Sequence, residues 1–285
     1  MQTFTYTPPT PRQTLSAALA ETKIRLINAT RYPGQMLMEI LIPIIFAAMP
    51  LLLGRSTGGA NAAVYFEANT GTANFVAYML IGSNVFAIVS YAFWHIAHWV
   101  RFEQETGTLE AVYTTPTSST TLAAGVAIYS AIRGFGTAII AYLLGCAIFR
   151  VNPFEGQVFL ALLFLLIGLV PLYGFAFLFG ALVLKIKESN ALINLMQWVV
   201  SFLMGIFFPV TVLPAGIRFV AQLFPPTWMV NGVRSSLLGV GYFLENWYLD
   251  FAVLWAFLLF VPLFSVWVFQ RVENNLRRNE GIGTF

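Results

Sequence analysis

The sequence predicts an all-α, polytopic membrane protein with six transmembrane helices, an N-terminal interfacial amphipathic helix and short re-entrant helices before the last span. Three observations carry that reading. Only 9% of the 285 residues are charged, against about 25% in an ordinary soluble domain. Apolar residues make up 58% and aromatic residues 16%, with a mean hydropathy of +0.76, which is more apolar surface than one soluble core can hide. The apolar residues also fall in continuous runs rather than at every second position, so helices rather than an alternating barrel satisfy the backbone in lipid.

The chain begins with polar, proline-rich MQTFTYTPPTPRQ. It has no apolar core or small-residue cleavage site, so no removable signal peptide is expected. Leu15, Leu19, Leu26 and Ile27 then recur near helical spacing among Lys23, Arg25 and Arg31. Residues 1–35 therefore read as a cytoplasmic tail carrying a helix that lies in the interface, the alternative being a plain basic tail. Pro33-Gly34 ends that helix and turns the chain into the bilayer.

Six runs follow, at about 36–53, 73–100, 122–149, 158–184, 191–213 and 251–269, each long enough to cross about 30 Å of hydrocarbon. An even number puts both ends on one side. Lys and Arg collect in short cytoplasmic loops. With the ends inside, the cytoplasm holds Arg12, Lys23, Arg25, Arg31, Arg101, Lys185, Lys187, Arg271, Arg277 and Arg278, against Arg55, Arg150, Arg218 and Arg234 outside. Both termini are expected in the cytoplasm, with 270–285 as a tail. The segment 214–250 holds Pro214, Pro225, Pro226, Gly232, Gly239 and Gly241 yet stays apolar. It suits one or two short helices dipping back into the bilayer against protein, or else a structured external loop.

Energy-yielding and covalent chemistry find little material in this chain. No G-x-x-x-x-G-K-[ST] loop exists, and Lys23, Lys185 and Lys187 lack a glycine-rich approach, so nucleotide chemistry is expected from another polypeptide. Cys146 stands alone in an apolar run and can form no intrachain disulfide or paired metal site. His95 and His98 share a helix face between Trp94 and Trp99, but no Cys or Asp lies nearby in sequence. They read as interfacial residues rather than ligands, and no metal site is expected. No catalytic residue set and no nucleic-acid partner are expected either.

The most charged patch lies between the second and third runs, in the loop 101–116. Its residues Arg101-Phe102-Glu103-Gln104-Glu105-Thr106-Gly107-Thr108-Leu109-Glu110 precede Ala111-Val112-Tyr113-Thr114-Thr115-Pro116. Phe102, Leu109, Val112 and Tyr113 fall at near-helical offsets with carboxylates between them, giving a short amphipathic helix whose apolar side needs a partner. E-x-G-T-L-E followed by T-x-P resembles the loop after the second span of ABC-2 type transporter permeases. Phe207–Pro214 (FFPVTVLP) and Phe224–Arg234 (FPPTWMVNGVR) extend the resemblance along almost the whole chain. The two motifs together are fairly specific, whereas six spans alone are not.

The resemblance implies that Glu103, Glu105, Thr106, Gly107, Thr108, Leu109 and Glu110 form a coupling helix seated in a separate ABC-type ATP-binding subunit. It implies a second permease chain, identical or not, and places ATP and Mg in the partner ATPase, with no cofactor bound by this chain. It also implies a multi-pass protein of the prokaryotic plasma (inner) membrane.

Polar residues inside the spans complete the candidates. Arg133 in the third span is costly at mid-bilayer, by about 2.5 kcal/mol or more, and Glu39 in the first span is its acidic counterpart. The two either pair between helices and brace the core or snorkel separately to the interface. Asn84, Asn194 and Gln197 hydrogen-bond across helices or, with Trp198, line a substrate passage. The expected function is that of a permease subunit of an exporter carrying a hydrophobic drug-like, lipid or lipid-linked substrate, with no bond chemistry of its own. The alternatives are an ATP-independent secondary transporter or channel, which needs an intramembrane ion relay, and a membrane-embedded enzyme, which needs an acid–base set in a cavity.

Overall fold

The computed structural model describes residues 10–58, 62–105, 117–183 and 189–279, and among these there is helix and no strand. Ten helices follow in order: α1 (Pro11–Thr30), α2 (Pro33–Gly58), α3 (Ala62–Thr70), α4 (Phe75–Glu105), α5 (Ser119–Phe149), α6 (Val158–Val183), α7 (Ser189–Leu203), α8 (Ala215–Gln222), α9 (Pro225–Leu238) and α10 (Trp247–Asn279). Five of them, α2, α4, α5, α6 and α10, are long and apolar enough to cross a membrane.

The starts and stops are local chemistry. Thr10 caps α1 through a reciprocal box with Gln13, and Pro11 takes the first helical position, where its missing N–H has no cost. Ser118 accepts from the Thr121 N–H at the start of α5, three residues before the apolar run begins. Pro43, Pro50, Pro171 and Pro262 lie inside long helices, which spanning helices tolerate because neighbouring groups re-satisfy the freed backbone.

The fifth apolar run departs most from its predicted extent. It was expected to run to Leu213, but α7 ends at Leu203. Gly205 adopts φ +63, its N–H bonds to the Phe202 carbonyl, and the Ile206 N–H reaches back to the Ser201 carbonyl. That is a glycine-terminated helix end, and a Cβ at Gly205 would lie 2.6 Å from the Phe208 carbonyl oxygen. Residues 204–213 are irregular apart from a 3-10 turn at Val210–Val212, because Pro209 and Pro214 cannot extend a helix ladder.

α4 is the hub. It packs against α2, α5, α6, α7 and α9, while α6 also packs along α10 and α9. The largest core cluster gathers Ile88, Val89 and Ile96 of α4, Phe164 and Leu172 of α6, and Met229 of α9. Glycines allow the closest approaches. Gly168 of α6 lies against Met229, and Gly232 of α9 against Phe164, so that a Cβ at either would overlap its neighbour. Small residues let helices approach in this way wherever lipid supplies no hydrophobic drive to pack.

α1 docks on α5 by the same device. Gly125 leaves no room for a Cβ beside the Ala18 carbonyl, and the Thr22 hydroxyl donates to the Gly125 carbonyl at 2.9 Å. The protein-facing side of α1 is thus Ala18 and Thr22, while Leu15, Leu19 and Ile27 are exposed. The segment between α7 and α10 holds two short helices of unlike character. α8 exposes Ile217, Phe219 and Val220, whereas α9 is buried from Pro225 to Leu237 except at Asn231.

Candidate functional site

A cavity of about 510 Å³ opens between α2, α4 and α7, with Thr137 of α5 at its wall. Its α4 side is one helical face, Ser83, Phe86, Ala87, Ser90, Tyr91, Trp94 and His95, with successive turns spaced by three and four residues. α2 supplies Gln35, Met38, Glu39, Ile42, Pro43 and Phe46, and α7 supplies Asn194, Gln197 and Trp198. The lining mixes aromatic rings and aliphatic chains with a few converging polar groups, the usual make-up of a small-molecule pocket.

Glu39 and Arg133 meet at the edge of this cavity. Arg133 Nε donates to Glu39 Oε2 and Nη2 to Oε1, both at 3.0 Å, with the two side chains 8% and 14% exposed. The remaining capacity is filled locally: Arg133 Nη1 donates to the Tyr129 hydroxyl at 2.9 Å, and the Tyr91 hydroxyl donates to Glu39 Oε1 at 3.3 Å. A forked arginine–carboxylate pair of this kind is geometrically specific. Here it ties α2, α4 and α5 together while presenting no net charge to the cavity.

Of the residues that sequence marks for a passage, Asn194, Gln197 and Trp198 stand together on α7 at this cavity. Asn84 does not join them. It belongs to a different face of α4, with Ile81, Val85 and Ile88, and lines a separate cavity among α4, α5, α6 and α9.

Arg234 is the residue whose role sequence reasoning missed. Counted there among the outer basic residues, it is 2% exposed in α9. Its Nη1 donates to the Gly205 carbonyl at 2.7 Å, and its Nη2 donates to the carbonyls of Ile206 and Tyr78. The first two are carbonyls that the broken end of α7 leaves without a helical partner. Gly205 in the fifth apolar run was the available sign of a helix stop, but nothing local links that stop to an arginine 29 residues later.

The coupling candidates divide. Glu103 and Glu105 lie in the last turn of α4, and Thr106, Gly107, Thr108, Leu109 and Glu110 lie outside the described residues. Immediately after that stretch, Ser119 in the first turn of α5 donates to the buried Glu273 carboxylate of α10 at 2.5 Å. The helix that resumes the chain is thereby fastened to the last helix, with the carboxylate near the positive end of the α5 dipole.

His95 and His98 are engaged with aromatic rings. Trp94 and His98 stack with centroids 5.0 Å apart, and His95 lies 4.1 Å from the Tyr91 ring. Among the described residues no three of His, Cys, Asp and Glu gather as a metal would require.

A family model described as ABC-2 family transporter protein matches residues 56–267 of the chain. No curated protein matches it.

Proposed function

The chain belongs to the ABC-2 transporter family, and from that premise we propose that it is the permease subunit of an ABC exporter. It moves a hydrophobic drug-like, lipid or lipid-linked substrate out of the cytoplasm, powered by a separate ATP-binding subunit that carries the ATP and Mg. It works beside a second permease chain in a prokaryotic plasma membrane, with both termini cytoplasmic. α7 is the sixth crossing in this reading: its 15 residues rise about 22 Å, and residues 204–213 complete the traverse. α8 and α9 form the re-entrant unit, with α9 supported by α4, α6 and α10.

The observation that carries the reading is the cavity between α2, α4 and α7. It draws together Glu39, Trp94 and Asn194, residues more than 150 positions apart at the extremes, in a family whose members move solutes. Because Glu39 and Arg133 neutralise each other, its recognition chemistry is aromatic and hydrogen-bonding, which suits an uncharged apolar cargo rather than a bare ion. The same mutual engagement leaves an ion relay, the requirement of a secondary transporter, without its carboxylate.

The test is purification together with the ATP-binding subunit and a screen of ligands for stimulated hydrolysis, comparing Glu105→Ala and Leu109→Ala. Basal hydrolysis should persist while substrate stimulation and transport fall away. Movement of cargo by the permease chain alone in sealed vesicles, with no nucleotide present, would overturn the proposal.

A further inference from the structure

α10 is longer than the membrane is thick. Its apolar stretch from Trp247 to Phe269 rises about 33 Å, which matches a hydrocarbon layer of about 30 Å, yet the helix continues to Asn279. Arg278 stands nine residues past Phe269, about 14 Å further along the axis, whereas the headgroup layer adds only about 5–8 Å. The projecting turns, QRVENNLRRN, carry Arg271, Arg277 and Arg278 against one carboxylate, Glu273. That carboxylate is turned inward, 6% exposed and accepting from Ser119 Oγ. Arg271, Asn274 and Asn275 are exposed, and among the described residues Arg271 has no ion-pair partner. The open side of this helix end is therefore basic.

The Ser119–Glu273 bond also fixes where the end lies. The coupling loop ends at Pro116, three residues before Ser119, and three residues of chain reach at most about 11 Å. A folded domain of roughly 200 residues has a radius of gyration of about 16 Å, so a subunit seated on that loop meets the end of α10 as well. On the reading of the chain as an exporter's permease, which puts this end in the cytoplasm, we propose that residues 270–279 form a second seat for the ATP-binding subunit. They fit an acidic surface beside the cleft that takes the coupling loop. Anionic headgroups suit Arg271 alone, because the backbone at Arg277 and Arg278 lies past their layer. Charge pairs at the rim of an interface act mainly on the rate of association and on its salt dependence.

The experiment is binding of the ATP-binding subunit to the full chain in phosphatidylcholine nanodiscs, read by biolayer interferometry at low and high salt. The test variant is the double charge reversal Arg271→Glu, Arg278→Glu. It should bind about tenfold more weakly at low salt, chiefly through slower association. The gap should narrow at about 0.5 M salt, where the screening length falls to about 4 Å. Arg271→Lys with Arg278→Lys should bind as the wild type does. Equal affinity of the wild type and the charge-reversal variant overturns the proposal, as does wild-type binding that salt leaves unchanged. A defect that emerges only when the nanodiscs contain phosphatidylglycerol also overturns it, since the arginines then serve lipid. Leu109→Ala keeps the two claims apart. If it weakens binding while the charge-reversal variant binds normally, the loop seat stands and the second seat falls. A wild-type chain that never binds the subunit refutes both.

Discussion

The guanidinium carbon of Arg234 lies 3.6 Å from the centroid of the Tyr78 ring, and the same side chain donates to the Tyr78 carbonyl at 3.3 Å. A cation held over an aromatic face is attracted by the ring's quadrupole, and more strongly when both are desolvated. One α9 residue thereby closes the end of α7 and fastens it to α4, so three elements share a single charged clamp. The fork geometry matters, because Nη1 and Nη2 serve different carbonyls, which a lysine ammonium cannot span in the same plane.

Gly82 sits under this clamp, where a Cβ would overlap both Arg234 Nη2 and the Ile206 carbonyl oxygen. Gly82→Ala should destabilise the chain by about 1–3 kcal/mol or more, the usual cost of overpacking. Arg234→Lys should cost about 1–3 kcal/mol for each carbonyl it leaves bare. Thermal unfolding followed by tryptophan fluorescence in detergent reads both. Gly136→Ala is the control, since a Cβ there meets nothing within 4 Å, and its midpoint should not fall.

Breaking the Glu39–Arg133 pair from one side strands a buried charge. Glu39→Gln and Arg133→Gln should each cost about 3–5 kcal/mol. The double variant should cost clearly less than their sum, because neither charge is then left alone. Denaturant midpoints for the four proteins close the cycle, and additive effects would show that the two side chains do not cooperate.

The α1 contact rests on the absence of a side chain at Gly125. Gly125→Val should lift α1 from α5 and break the Thr22 hydrogen bond while leaving the bundle folded. Tryptic cleavage after Lys23 and Arg25 should then accelerate severalfold, with the unfolding midpoint of the remainder nearly unchanged. Equal cleavage rates in variant and wild type would mean that α1 is held by something other than this crossing.

Much of the helical architecture is legible in the sequence because it depends on local properties. Continuous apolar runs located α2, α4, α5, α6 and α10 to within a few residues, apart from the polar ends that extend α4 and α10. Prolines and glycines marked the interruption that became α8 and α9. The site was legible only in part. Asn84, Asn194, Gln197 and Trp198 stand out together in the sequence as passage candidates, but only the last three line the same cavity. The separation of Asn84 comes from the rotational position of one residue on α4, which neither hydropathy nor spacing relative to another helix can report.

What the amino-acid order determined by itself was the solvent of this protein and the lengths of most of its helices, since both follow from how many apolar residues stand in a row. The tertiary structure decided where α7 stops, which carbonyls receive Arg234, and that Glu39 and Arg133, 94 positions apart, engage each other. Those outcomes share a physical reason. A polar group inside a low-dielectric bundle is stable only with a partner, and here each partner comes from a segment distant in sequence and is brought within reach only when the helices pack.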